Sequence, residues 1–130
     1  MAIPDTGQGL ARELYAAAIG ETGGARFELD GDVAEHLAAA CDRLVEDLHR
    51  AVAGAHALTE VTGFPDLPTG HALAAGFGAK GREFLDTVAA FQETALLFKA
   101  AYLAAGRRLA EADAANRAAL SLVTEHLEAR

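Results

Sequence analysis

The sequence predicts an all-α protein: an antiparallel hairpin of helices over about 31–62 and 70–128, preceded by a short N-terminal helix. Three observations carry that expectation. Phe77, Phe84, Phe91 and Phe98 recur every seven residues, and the register continues at Ala105, Ala112 and Ala119. Four residues behind each comes a second series, Gly81, Val88, Ala95, Tyr102, Leu109, Asn116 and Val123. This 4-3 alternation makes a narrow helical seam that seeks another helix. The chain is also alanine-rich, 52% hydrophobic and free of Trp, and alanine has the highest intrinsic helix propensity. Finally, the prolines stand only at Pro4, Pro65 and Pro68, so long stretches run without a breaker. By length the 130 residues make one compact unit, divided here into an N-terminal helix and linker (1–26) and a hairpin domain (27–130).

Residues 5–19 come first, with Leu10, Leu14, Ala17 and Ala18 on one side, Asp5 or Thr6 as the cap and Gly20 as the stop. Gly23 and Gly24 mark a joint. Asp30 or Asp32 then places a carboxylate at the start of the first long helix, and Leu29 can fold back on Val33 or Ala34. Its seam is Leu37, Cys41, Leu44 and Leu48, continued by Ala51, Ala55 and Leu58, with an end expected near Val61–Gly63. Gly63, Phe64, Pro65, Leu67, Pro68 and Gly70 form the turn, stiffened because each proline biases its predecessor away from the helical region. Thr69 is the expected cap of the second helix. Gly76, Gly78 and Gly81 near its start predict a close backbone approach by the first helix.

The two helices do not match in length. The first spans roughly 45 Å and the second on the order of 85–90 Å at 1.5 Å per residue. Moreover Leu85, Ala89, Leu96, Leu97 and Leu103 lie off the phenylalanine seam, so the second helix is apolar on two faces around 85–104. A helix apolar nearly all round is buried all round. Leu85, Leu96, Leu97 and Leu103 are therefore the expected interface with a protein partner, either a second copy or a related hairpin. The resulting homo- or heterodimer would be a four-helix bundle. The rival arrangement bends the chain at Gly106 and folds the last 20 residues back.

Chemistry is sparse. A net charge of −8 and a pI near 5.0 argue against nucleic-acid binding, which needs a basic stripe, and against adsorption to an anionic membrane surface. No apolar run approaches the roughly 20 residues of a membrane span. The N-terminus lacks the charged and apolar regions of a signal peptide, so synthesis in the cytoplasm is expected, with any export by a route that carries folded helices. Cys41 stands alone and reads as a small seam hydrophobe, a disulfide across a dimer axis being the sharper alternative. Glu46 and His49 have the Glu-x-x-His spacing of di-iron bundles, but the second such string is missing. His49, His56 and Asp42 read as a solvated stripe, and His36, His71 and His126 show no evident partners. No nucleophile sits in a strand-turn-helix setting and no phosphate loop is complete. No catalytic residue, metal or cofactor is expected. Asn116, at a seam position, reads either as a register-fixing buried amide or as a wet residue near a frayed end.

Several segments carry a family resemblance: Phe27-Glu-Leu-Asp30, the turn Gly63-Phe-Pro-Asp-Leu-Pro-Thr-Gly70, Gly76-Phe-Gly-Ala-Lys80, Tyr102-Leu-Ala-Ala-Gly106 and Leu109-Ala-Glu-Ala-Asp113. Over roughly residues 27–120 the chain resembles the actinobacterial WXG100 superfamily of type VII secretion, especially its EspC-like relatives. The resemblance implies a non-enzymatic helical hairpin that acts as a secreted substrate of an ESX-type system or as the pairing partner of one. It also implies an export signal after the hairpin. Leu109 and Asp113 hold its spacing, with Leu where the family has Tyr, and the turn lacks the family's Trp. Two further readings are a metal- or small-ligand-binding bundle and a cytosolic antitoxin- or chaperone-like partner of a secreted toxin.

Overall fold

The computed structural model describes residues 3–21 and 23–129, and among these it is all-helical, with no strand. The helices are α1 (Gln8–Ile19), α2 (Gly31–Ala51), α3 (Pro68–Ala105) and α4 (Leu109–Glu128), with one 3-10 turn at Ala55–Thr59. Two expected boundaries move. The first long helix stops at Ala51 rather than near 62, because Gly54 adopts a left-handed φ of 80° and turns the chain into the 3-10 segment. The second long helix does not run to 128. It ends at Ala105, and α4 folds back along it.

α3 is the axis on which everything else packs: α1, α2, the 3-10 turn and α4 each make their main contacts with it. α2 runs antiparallel to it, Ala34 lying at Gly106 and the Val45 carbonyl near Gln92. α4 is antiparallel as well, with His126 at Asp86. α1 runs parallel, tied at its start by Gln8 Nε2 donating to Glu93 (2.9 Å) and by the Thr6 and Thr94 hydroxyls (2.7 Å). The short helix of residues 1–26 thus belongs to the same core as the rest, Ala11 and Ala18 being fully buried in it.

Small side chains make this crowding possible. The buried surface of α3 is largely Ala89, Ala90, Ala95, Ala100, Ala101, Ala104 and Ala105, with Leu85, Leu96, Leu97 and Leu103 between them. Facing them are Ala34 and Ala38 of α2 and Ala112, Ala115 and Ala119 of α4. Interiors are close-packed, so an axis flanked by three helices needs short side chains at most contacts. Two glycines permit still closer approach. The carbonyls of Leu58 and Thr59 lie so near Gly81 and Gly78 that an added Cβ would overlap them. The close approach expected at these glycines is present, but the 3-10 turn makes it rather than the first helix. Gly76 faces open space.

The α3–α4 hinge is three residues long. Arg108 N–H donates to the Leu103 carbonyl (2.8 Å) and Arg107 N–H to Ala104 (3.0 Å), the paired bonds of a Schellman ending. The left-handed residue of that motif is Arg107, at φ 65°. Glycine usually holds this position, but here it stands one residue earlier. At Gly106 a Cβ would overlap that of Ala34, so the glycine serves helix contact while Arg107 bears the strained dihedral.

Candidate interaction surface

The phenylalanine series does not form the hairpin core. Phe77, Phe84 and Phe91 are 56%, 44% and 46% exposed, and only Phe98 is drawn in, against the buried cluster of Ala11, Leu96, Leu97 and Ala119. Conversely, the leucines expected to await a partner are covered by the chain itself: Leu96 and Leu97 are 7% exposed, Leu103 4% and Leu85 8%. The physical cause is the bend at Gly106. Once α4 returns along α3 and α1 lies beside it, the leucine face is sealed, and the face carrying the bulky rings remains outside.

The exposed face is continuous with the turn before α3. Phe64 stacks on Phe77, with ring centroids 5.8 Å apart and planes 6° from parallel. Phe64, Phe77 and Phe84 line an open groove of about 610 Å³ with Leu58, Val61, Thr62, Lys80 and Gly81. Leu67 and Leu73 are also exposed. The turn itself is fixed by Gly63 at φ 98°, Pro68 at the first helical position, and Gly70, where a Cβ would overlap the Pro65 carbonyl. Thr69 lies inside the helix, and Leu67 occupies the cap position.

On α2, Leu44 is exposed, while Leu37, Cys41 and Leu48 are half-buried at the edge of the contact with α3. Burial, with a smaller contribution from Asp42, pushes the Cys41 thiol up to about 11, partly offset by Lys99. Phe98, Tyr102 and Phe27 continue the aromatic row inward at centroid separations of 6.0 and 6.3 Å. From Phe77 to Phe98 the row covers about 32 Å of helix.

The amount of surface is itself informative. Folded monomers follow a mass scaling that gives about 6,500 Å² at this size. The protein, at 13.5 kDa, exposes 7792 Å². The excess, on the order of 1,300 Å², exceeds the roughly 800 Å² that each partner of a standard interface buries. It arises because α1 and α4 lie along the C-terminal half of α3, leaving the stretch before about residue 85 to the 3-10 turn and its loop.

A second feature lies outside the sequence expectations. His126 of α4 and Asp86 of α3 meet at 2.7 Å, their side chains 17% and 2% exposed. They border a cavity of about 470 Å³ with His56, Thr59, Glu60, Arg82 and Leu85. The Thr59 hydroxyl donates to the His56 carbonyl (2.8 Å), so the hydroxyl bordering the cavity is engaged by the backbone. His126 therefore has a partner that its sequence neighbours do not suggest. The residues lie forty positions apart and meet only through the fold-back, although an Asp amid the apolar stretch from Phe84 to Ala90 was a visible signal. His71 likewise pairs with Asp66 at 2.7 Å, in solvent.

The remaining candidates are scattered. Glu46, His49, His36 and His56 are exposed, and among the described residues no group of three or more His, Cys, Asp or Glu converges as a metal site. No helix among these residues is long and apolar enough to cross a membrane. Leu109 and Asp113 sit in the first turns of α4, both exposed, and Asp113 accepts a bond from the Tyr15 hydroxyl (3.4 Å). That carboxylate, after burial, raises the Tyr15 pKa, while Asn116, half-buried, bonds the same hydroxyl and lowers it. Comparison with family models, with curated proteins and with solved structures gives no match to this chain.

Proposed function

We propose that the protein is a non-enzymatic helical interaction module that receives a helix of another chain along the aromatic row of α3. The observation that carries this reading is the half-exposed series Phe77, Phe84 and Phe91, extended by the stacked Phe64. Rings seven residues apart form a straight line on a helix, which an amphipathic partner meets with its own i, i+3, i+4, i+7 positions. Large aromatic side chains also contribute the most area per residue ordered at an interface.

The setting follows from the resemblance at Gly63–Gly70 and Leu109–Asp113: type VII secretion, in which the protein is a secreted substrate or pairs with one. The partner in this reading is a second copy or a related helical hairpin. Pairing is tested by light scattering from 10 µM to 1 mM, alone and with a neighbouring-gene hairpin protein, using a Phe77→Ser/Phe84→Ser/Phe91→Ser variant as control. A complex that survives the triple substitution refutes the docking face. Export is tested separately in a host with an active type VII system, where Asp113→Ala should retain the protein in the cells.

A further inference from the structure

The seam register of α3 does not stop where α3 stops. Phe77, Phe84, Phe91 and Phe98 are followed by Ala105 at the end of α3, and then by Ala112 and Ala119 on α4, every step seven residues. A pattern that holds phase across a reversal of direction is one that a continuous helix would use. The reversal depends on three residues, 106–108, of which Arg107 holds a dihedral unfavourable to any side chain with a Cβ. α4 makes its main contacts with α3 alone, so its departure would leave the packing of α1 and α2 on α3 in place. What α4 leaves behind is specific to it: Leu96 and Leu97, which pack with Ala119, and Leu103, which packs with Ala112.

We infer that α4 is an exchangeable element: with residues 106–108 helical, α3 and α4 become one helix, and two copies trade their α4 segments to form a domain-swapped dimer. The occupant of the vacated bed is the α4 of the second copy. The same chain supplies the same alanines and the same His126, so every α3–α4 contact is recovered between copies. Exchange changes the hinge and the contacts that Arg107 and Arg108 make with Ala18, Glu28 and Glu35. Two left-handed Arg107 residues are relieved for each dimer formed, and relief of such strain in a short connection is what makes swapping accessible. This dimer does not use the exposed phenylalanines, so it stands or falls independently of docking on the aromatic row.

The test is the dimer fraction of full-length protein, concentrated, warmed to just below its unfolding midpoint, cooled and separated by size with light scattering. Arg107→Gly and Arg107→Val lose the same guanidinium contacts to Glu28 and Ala18, and they differ in tolerance of positive φ and in helix propensity, both of which favour the bent hinge for glycine. Glycine accepts the bent hinge without strain, whereas valine resists it. Relief at each hinge is worth about fivefold, so at least about 25-fold separates Arg107→Gly from Arg107→Val in dimer dissociation constant, the valine dimer being the tighter. The triple Phe→Ser variant should swap like wild type. Equal dissociation constants for Arg107→Gly and Arg107→Val, or monomers throughout at 1 mM, overturn the inference, as does loss of the dimer in the triple Phe variant. If Arg107→Val does not fold, Arg107→Ala, which loses the same guanidinium contacts and keeps a Cβ, takes its place in the comparison with Arg107→Gly.

Discussion

Substituting Leu103 and Phe84 in parallel asks which apolar residues of α3 are the core. Leu103 is 4% exposed and sits among Ala18, Ala38, Ala104 and Ala112. Truncation to Ala removes its transfer free energy and leaves a cavity that the surrounding alanines are too short to fill. Buried Leu→Ala changes cost about 2.7–5 kcal/mol, and about 3 kcal/mol is expected here. An unfolding entropy of about 2.1 cal/mol/K per residue over this chain converts that to a fall of about 11 °C in Tm. Phe84 is larger but 44% exposed, and water fills the space left on its outer side. Only about 1 kcal/mol is at stake for Phe84→Ala, roughly half of a full burial and with no cavity contribution. Urea denaturation of both variants, followed by far-ultraviolet circular dichroism and analysed with a common m-value, measures the two quantities directly. If Phe84→Ala proves as destabilising as Leu103→Ala, the rings are core, and the fold-back of α4 along the leucine face is wrong.

Other consequences concern the buried contacts. His126→Leu removes one hydrogen bond from the Asp86 carboxylate, at 2% side-chain exposure, and should destabilise the protein by about 2 kcal/mol. Asp86→Asn, which keeps a hydrogen-bonding group there, should cost less in the same urea experiment. Gly81→Ala should lower the unfolding midpoint by more than the helix propensity of alanine raises it, since the new methyl meets the Leu58 carbonyl; Gly76→Ala, which faces open space, should be neutral or stabilising. For Cys41, burial raises the thiol from its ordinary value of 9.0 to about 11. Alkylation by iodoacetamide at pH 8 should therefore be about 100-fold slower in the native protein than in urea. The stability linked to this group is fully present below pH 9 and is lost as pH rises through 11, because the folded state holds the proton more tightly. Alkaline denaturation with Cys41→Ala as control should show a smaller loss over that interval.

Helix content was legible in the sequence because its determinants are local. Alanine, the absence of interior prolines and the 3.6-residue spacing of apolar positions act over a turn or two, and they place α1 and the bodies of α2 and α3 correctly. The turn was legible in part for the same reason: Gly63, Phe64, Pro65 and Leu67 lie in it, whereas Pro68 and Gly70, expected there too, fall in the first turn of α3. The glycine approach at 78 and 81 could be anticipated in kind but not in partner, as it depends on where α2 stops. The Asp86–His126 pair had no signal at the histidine and only a weak one at Asp86.

By itself, then, the sequence determined that the chain is helical, where most helices begin, and that α3 carries more apolar surface than one partner helix can cover. Tertiary structure alone decided which of its two faces is buried. A seven-residue repeat of rings and an off-register set of leucines are equally good seams for an isolated helix, and periodicity cannot rank them. The bend at Gly106–Arg108 ranks them, because α4 and α1 crowd against α3 where alanines permit close approach, and the larger rings are left to the side on which no helix fits. Backbone dihedrals at three hinge residues thus convert an expected aromatic core into an exposed aromatic row.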